Sequence, residues 1–465
     1  MQTYQTELAR EGLADGSPGG SVTATRLQSL LDRRAAWDAF QPTRRIDLRI
    51  DSTKTWAYSD NHLVWHGAED DLTHVLQIPS KFRGIEEITW TIPDLPVNTE
   101  LDSKDDVVET IAIDPGQDLV VVASTKLTDV EGASILDLYS RRLSNGENHP
   151  SSQTPAILFN WPLGHSEISP PDVQISGDTV AVSIRPEDDY YAKMLAVLNW
   201  RTGGVYVNII GTSLSSAFID DAHLLIGHDT PQSYVLSVVD LKAVAGITSD
   251  SPDILAANSL CQLRFPAKPA NFADYKVSMS SSPPPFTTPG SGIVSQVPFH
   301  PGPERMISVD FDSDEGCRTA LISSNTILDL VRRTNGTPRE FAWEEWGPSG
   351  CALMPLAHVS AVKVHGNAAI TVLPTQPGSN LSVVRFGAQQ GGPLTAPIGA
   401  NLPFASEDIQ TLVPGDVRSW IVNSPLLAQS PVPGCEAHLG TDCVIIGTNS
   451  TTLSDPSTYL EIHCF

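Results

Sequence analysis

"GHSEISPPDVQISGDTVAVSIRPEDDYYAKMLAVLNWRTGG", residues 164–204, is the stretch whose reading decides the fold. Apolar and polar residues alternate through Val173-Gln174-Ile175 and again through Val180 to Ile184, with Ser176-Gly177-Asp178 between them. Successive side chains of a strand point to opposite faces, so this alternation predicts two half-buried strands joined by a tight hairpin. An acidic loop follows, then a third run ending at Asn199-Trp200, then the turn Arg201-Thr202-Gly203-Gly204. The stretch is either one member of a repeating β unit or a lone group of strands around His165.

The rest of the chain favours repetition. The same order of strand, polar hairpin, strand, variable loop and strand begins at 107, 171 and 215, in steps of 64 and 44 residues, and again at 359. The shorter step is the length of a four-stranded propeller blade, and the longer one implies an inserted loop. Weaker units cover 56–92, 275–331 and 409–465. The reading is therefore an all-β, WD-like β-propeller of seven blades, with six or eight as the alternatives, over 46–465, with no long amphipathic helix after residue 50. An open ring would leave sheet edges exposed. Because the strands just after residue 45 and the terminal "YLEIHCF" are both β-rich, the two ends are expected to meet in one shared blade.

Residues 1–45 differ in kind. In "TRLQSLLDRRAAWDAF" Leu27, Leu31 and Ala35 recur at steps of four beside Leu30 and Trp37, while Arg26, Asp32, Arg33 and Arg34 fall between them. That is an amphipathic helix, capped by Thr23 or Thr25 and separated by "DGSPGG" from a shorter helix near 4–13. Its apolar stripe is expected to dock on its own domain.

Composition bounds the partners. With 54 acidic against 29 basic residues the 465-residue chain carries a net charge of -25, which repels phosphate backbones and anionic lipid heads, so nucleic acid and membrane are excluded as expected partners. No basic region leads into an apolar leader and no 18 apolar residues stand together, so an intracellular location, cytoplasmic or nuclear, is expected. The six cysteines have no zinc-type spacing and read as reduced core thiols.

Two resemblances follow from these residues. In WD-repeat proteins Gly-His and a later Trp-Asp bracket a blade. Here Gly164-His165 precedes Asn199-Trp200, with Arg201 in place of the Asp, and "GHD" at 227–229 with "VVD" at 238–240 is a partial match. His165 accordingly reads as a structural histidine. The opening segment resembles the helical linker of fungal F-box proteins, which precedes a WD-like propeller. Tyr4, Glu7, Leu8, Ala9, Gly12, Asp15, Gly16, Arg26, Leu27, Leu30, Arg33, Ala36 and Trp37 fit that pattern. The resemblance implies substrate recognition for a ubiquitin ligase. In the family an F-box stands before this segment, whereas the sequence opens three residues before Tyr4. Docking to the ligase linker subunit is expected only where an F-box exists upstream.

The motif search is negative for GxSxG, HExxH, GxxxxGK[ST] and strand-linked GxGxxG, so no catalytic residue, metal or cofactor is assigned and no enzyme is expected. Asp310, Asp312 and Asp314 alternate as in a calcium loop, but Gly316 and Leu321 occupy the wrong positions for one. As binding candidates the sequence offers "FAWEEWGPSG", with Trp343, Glu344, Glu345 and Trp346 as an exposed aromatic anchor, and "RPEDDYYAK", with Asp188, Asp189, Tyr190 and Tyr191 in a loop. The favoured function is a protein-interaction module. The competing one is a propeller enzyme, which requires carboxylates or histidines from several blades to converge on the central channel, and a third is a scaffold protein unconnected with ubiquitination.

Overall fold

The computed structural model describes residues 2–16, 22–50, 56–67, 72–93, 107–127, 134–161, 168–186, 192–244, 246–249, 251–266, 276–282, 298–302, 304–313, 316–356, 362–374, 379–385, 416–420, 435–449 and 458–465. Strands follow one another as antiparallel neighbours, each group of four forming one small sheet. Blade 1 holds Trp56–Ser59, His62–His66, Thr73–Gln77 and Ile88–Ile92; blade 2 holds Val107–Asp114, Leu119–Leu127, Ser134–Arg142 and Ala156–Trp161. Blade 3, the opening stretch, runs Ile168–Ser176, Thr179–Pro186, Ala192–Asn199 and Val205–Thr212, with Ile247–Ser249 added in parallel at its edge. Blade 4 holds Ser215–Phe218, His223–Asp229, Tyr234–Asp240 and Cys261–Arg264, widened by Arg339–Phe341. Blade 5 holds Lys276–Ser281, Met306–Ser313, Gly316–Ser323 and Cys351–Leu356, and blade 6 holds Lys363–His365, Ala368–Pro374, Ser379–Arg385 and Asp416–Trp420.

These six blades are each built from one continuous run of chain. The remaining sheet is composite: Cys435–Leu439, Cys443–Asn449 and Thr458–Cys464 are completed by Arg44–Ile50 from the other end, with Arg44 opposite Cys464 and Ile50 opposite Thr458. The expected count of seven blades is therefore corrected to six, the lower of the two alternatives, with the composite sheet closing the ring. The strand in "IQTLVPGDVRSWIVNS", assigned from sequence to the last unit, is the outer strand of blade 6. The expected shared closure between the two ends is present.

The core lies between sheets rather than in any one of them. Ile92 with Val122 fills the space between blades 1 and 2, Leu138 with Val182 that between 2 and 3, and Val197 with Leu224 that between 3 and 4. The series continues through Leu236 with Val309, Leu321 with Val364, and Ile370 with Val444, and returns to blade 1 through Ile462 with Leu63. This unbroken circuit of interfaces, with the first strands of successive sheets in contact, defines a closed β-propeller.

One hydrogen bond recurs around it. The residue after the third strand donates its N–H to a carbonyl of its own blade's first hairpin: Ile78 to Asn61 at 2.7 Å, Leu143 to Asp118 at 2.9 Å, Trp200 to Asp178 at 3.0 Å, Leu241 to Ala222 at 2.8 Å and Phe465 to Asp442 at 2.8 Å. The bond turns the following side chain inward, and all five are buried. Trp200 also donates Nε1–H to Gly177 O at 2.9 Å. Full burial of such a side chain contributes roughly 1.5–3 kcal/mol. Trp200 thus serves its blade as a buried structural residue. His165 lies outside the described residues, but His228 of the "GHD" triplet is buried with Nε2 3.2 Å from Ser237 Oγ, a structural placement.

Local expectations fail in three places. "SNTILDLVRR" forms a helix, Ser324–Arg333, where a strand was read; Ser323 Oγ accepts from Asn325 N–H as its cap, and Ile327 and Leu330 turn one face inward. "WEEWGPSG" is a second helix, Trp343–Gly350. At the chain start, the helices are Gln2–Arg10 and Thr23–Asp38, the second beginning after Val22 with no side-chain cap.

Candidate functional site: the two ends of the channel

First hairpins and third-to-fourth strand loops all emerge at one end of the ring, and the N-terminal segment covers that end. The buried face of the Thr23–Asp38 helix is Arg26, Leu30, Arg33 and Trp37, while Leu31 is 39% exposed. The stripe is therefore rotated from the one read in sequence. Leu31 was placed on the docking face and Arg33 on the polar face, yet a guanidinium is buried wherever carboxylates wait to receive it.

Here they wait on three separate elements. Arg33 donates Nη1–H to Glu11 at 2.9 Å and Nε–H to Asp442 at 3.1 Å, and bonds the Thr441 carbonyl. Asp442, fully buried in the hairpin of the composite sheet, also accepts from Ser80 Oγ at 2.6 Å and Arg83 Nε at 2.5 Å, and Arg83 reaches Asp60 at 3.3 Å. Arg34 pairs with Glu11 at 2.7 Å and with Glu7. Burial pushes the Asp442 carboxyl up, but Arg83 and Arg33 outweigh it and hold the group below the usual carboxylate range. The network ties both N-terminal helices to blade 1 and to the ring closure at one point.

Aromatic rings surround it. Trp37 stacks on Phe465 at 4.1 Å, and Phe82 stacks on Phe299 at 4.3 Å, with the Arg26 and Arg33 guanidiniums 5.1 and 5.3 Å over the second pair. Leu13–Asp15 pairs with Phe299–Pro301 from the blade 5 insertion. Gly12 has φ +67°, and a Cβ there would lie 2.5 Å from Asn367 Oδ1, so only glycine passes. A cavity of about 30 Å³ remains beside Glu11, Arg33, His365, Asn367 and Thr441, room for one water. His365 bonds Thr441 Oγ1 at 3.0 Å and Ser282 Oγ at 3.1 Å, and burial lowers its pKa to about 4, so it is neutral.

Toward the opposite end the channel wall carries charge from several blades. Asp172, on the innermost strand of blade 3, keeps its side chain accessible although protein surrounds it, as the wall of a channel requires. Burial raises its pKa against the pull of Gln174, Lys363 and Lys193. Gln174 bridges three blades, donating to Ser216 O at 3.0 Å and Met279 O at 3.3 Å, and Lys193 Nζ donates to Val277 O at 2.7 Å. Lys363, on the first strand of blade 6, is also within electrostatic reach of Asp310 on blade 5. Burial raises Asp310 to about 6, against a hydrogen bond from Thr319 Oγ1. Carboxylates of blades 3 and 5 and lysines of blades 3 and 6 thus share one field.

Of the residues singled out in sequence, Trp343 and Trp346 are not an exposed anchor. They are 6% and 1% exposed, packed around Phe265 at 5.6 and 5.4 Å, with Trp346 Nε1–H donating to Arg264 O at 3.2 Å. Glu345 caps its own helix by accepting from Ala342 N–H at 3.1 Å and pairs with Arg339; Glu344 is exposed. Asp188, Asp189, Tyr190 and Tyr191 lie outside the described residues. Asp310 and Asp312 sit on a strand, and among the described residues no group of three His, Cys, Asp or Glu is placed to hold a metal. No helix among them is long and apolar enough to cross a membrane.

Sequence reasoning missed the Asp442 network and the charged channel wall. The first had a signal: Asp60-Asn61, Asp118, Gly177-Asp178, Gly366-Asn367 and Asp442 recur at the first hairpins, where positive φ at residues such as Asn61 and Asp118 favours Asn, Asp and Gly.

No protein-family model and no curated protein matches the chain. Among solved structures it overlays on the Dos1 propeller with a TM-score of 0.40 at 8% identity, over 90% of this chain and 94% of that one. The WD40 domain of Toxoplasma gondii coronin gives 0.39 at 7%, over 90% and 86%, and the polysaccharide lyase Uly1 gives 0.36 at 9%, over 89% and 90%.

Proposed function

We propose that the chain is a non-enzymatic protein-interaction module, a WD-like ring whose covered end is committed to its own N-terminal segment and whose other end receives a protein partner. The observation that carries this reading is the division of charge. Arg33, Arg83 and Asp442 are buried against one another, whereas Asp172 presents an accessible carboxylate in a wall shared with Lys193 and Lys363. Accessible charge of both signs in a concave wall selects a polar partner segment of complementary pattern.

In finer detail, we assign the N-terminal segment the part of the linker that follows an F-box. Tyr4, Asp15, Arg26, Leu30, Arg33 and Trp37, which fit that pattern, are the residues that seat the segment on the ring. A segment so seated would hold an F-box, where one stands upstream, at fixed orientation to a bound substrate, as a ubiquitin-ligase recognition subunit requires.

The test is proximity labelling in a fungal host with the full chain and with Asp172→Asn/Lys363→Met. Loss of specific neighbours from the variant supports the reading; an unchanged set overturns it. An upstream-extended form that fails to retrieve the Skp-type linker subunit removes the ligase assignment. One observation favours the enzyme reading instead: Asp310, with its pKa near 6, shares a field with Lys363. That reading requires a turnover that Asp310→Asn abolishes and whose rate profile bends near pH 6.

A further inference from the structure

Cys443 opens the second strand of the composite sheet and Cys464 ends the closing strand, and the two are direct cross-strand partners. Their hydrogen-bonding class follows from the bonds beside them. Phe465 N–H donates to Asp442 O at 2.8 Å, and Cys464 O accepts at 2.7 Å from the N–H of Thr43, the residue that leads into the strand on its other side. Cys464 therefore directs its own backbone away from Cys443, which makes this a non-hydrogen-bonded pair. In such pairs the Cα atoms lie about 4.5 Å apart and the side chains approach most closely. That spacing falls within the range of about 4.4–6.8 Å that a disulfide spans. Both side chains leave the sheet on the same face and join the cluster of Leu63, Ile445 and Ile462. Both are free thiols, fully or almost fully buried, and Tyr58 Oη from blade 1 is 3.4 Å from Cys443 Sγ.

We propose that Cys443 and Cys464 form a disulfide site that bolts the closing strand to the ring under oxidising conditions. With oxidised glutathione as oxidant, one cysteine thiolate attacks the glutathione disulfide, forming a mixed disulfide and releasing one glutathione thiolate. The second cysteine thiolate then attacks the protein sulfur of that mixed disulfide and releases the other. Two thiols are oxidised, one glutathione disulfide is reduced to two glutathiones, and the two cysteine protons pass to solvent and the leaving thiolates. Burial raises the two thiols to about 12 and about 11, so the exchange runs through opening of the Thr458–Cys464 strand.

The experiment equilibrates the full chain in reduced and oxidised glutathione, once as native protein and once during refolding from urea, followed by intact mass, non-reducing peptide mapping and hydrogen exchange. The expected result is a loss of about 2 Da and a cross-linked peptide joining 443 to 464, absent from Cys443→Ala. Exchange of the closing strand should slow by about tenfold or more once the bond has formed. A chain that refolds in oxidised buffer without the 443–464 cross-link overturns the site. A cross-linked chain whose closing strand exchanges no more slowly overturns the bolt.

Discussion

The two ends of the ring use charge in opposite ways. At the covered end, guanidiniums and carboxylates are withdrawn from water and matched: Arg33 and Arg83 meet on Asp442 with no side chain of the three more than 5% exposed. Along the channel wall, Asp172 and Lys363 keep access to solvent while sharing a field from three blades apart. Withdrawal of charge into a dry interior is expensive and holds only when every partner is in place, so it serves to fix a geometry. Accessible charge costs the fold little, which is why the proposed partner is assigned to this wall. The comparison teaches that the N-terminal segment is part of the ring's construction.

The largest blow to the covered end is removal of residues 459–465. This deletes the strand between Arg44–Ile50 and Cys443–Asn449 together with Phe465, the stacking partner of Trp37. The loss should exceed a total stability of roughly 5–15 kcal/mol, leaving no cooperative transition in urea. A truncated chain that still unfolds cooperatively would break the closure argument.

Next comes Asp442→Ala, which leaves two buried guanidiniums without their shared acceptor. We expect a loss of about 3–5 kcal/mol by urea denaturation, with earlier proteolysis of the two N-terminal helices. A cost below about 1 kcal/mol would place the network among surface pairs.

A smaller effect sharpens the other side. Asp310 has a folded pKa of about 6, above the usual carboxylate value, so the folded state prefers it protonated. Its favourable contribution is complete below pH 4 and is lost as pH rises through 6. Asp310→Asn, which preserves an acceptor for Thr319, should match wild type at pH 4 and exceed it by on the order of 2 kcal/mol at pH 7. An equal difference at both pH values would contradict the burial assigned to Asp310. Last, Lys363→Met should change stability by less than about 0.5 kcal/mol and Asp172→Asn should hold or raise it at pH 7, because burial raises the Asp172 pKa, so that any loss of partners in these variants reports on binding.

Much of the ring was legible because a strand's period of two is local. Val180 to Ile184 alternates wherever it is read, and the Ser-Gly-Asp hairpin names its own turn. Trp200 was legible as a blade residue, since a large aromatic before a tight turn has few other placements. Helix Ser324–Arg333 was not, because "NTILDLV" is rich in residues that serve either element and the cap at Ser323 decides between them. Trp343 and Trp346 misled for a related reason: an aromatic pair in a polar stretch looks exposed until Phe265 from another strand covers it.

What the sequence by itself determined is the repeated small sheet, the change of period near residue 45 and a strand near each end, all consequences of patterns within a few residues of one another. What only the tertiary structure decided is which charges are buried. Arg33 lies 409 positions from Asp442 and Asp310 lies 53 from Lys363. The cost of withdrawing an ion from water is repaid only by partners that close in space, and no local pattern reports on those.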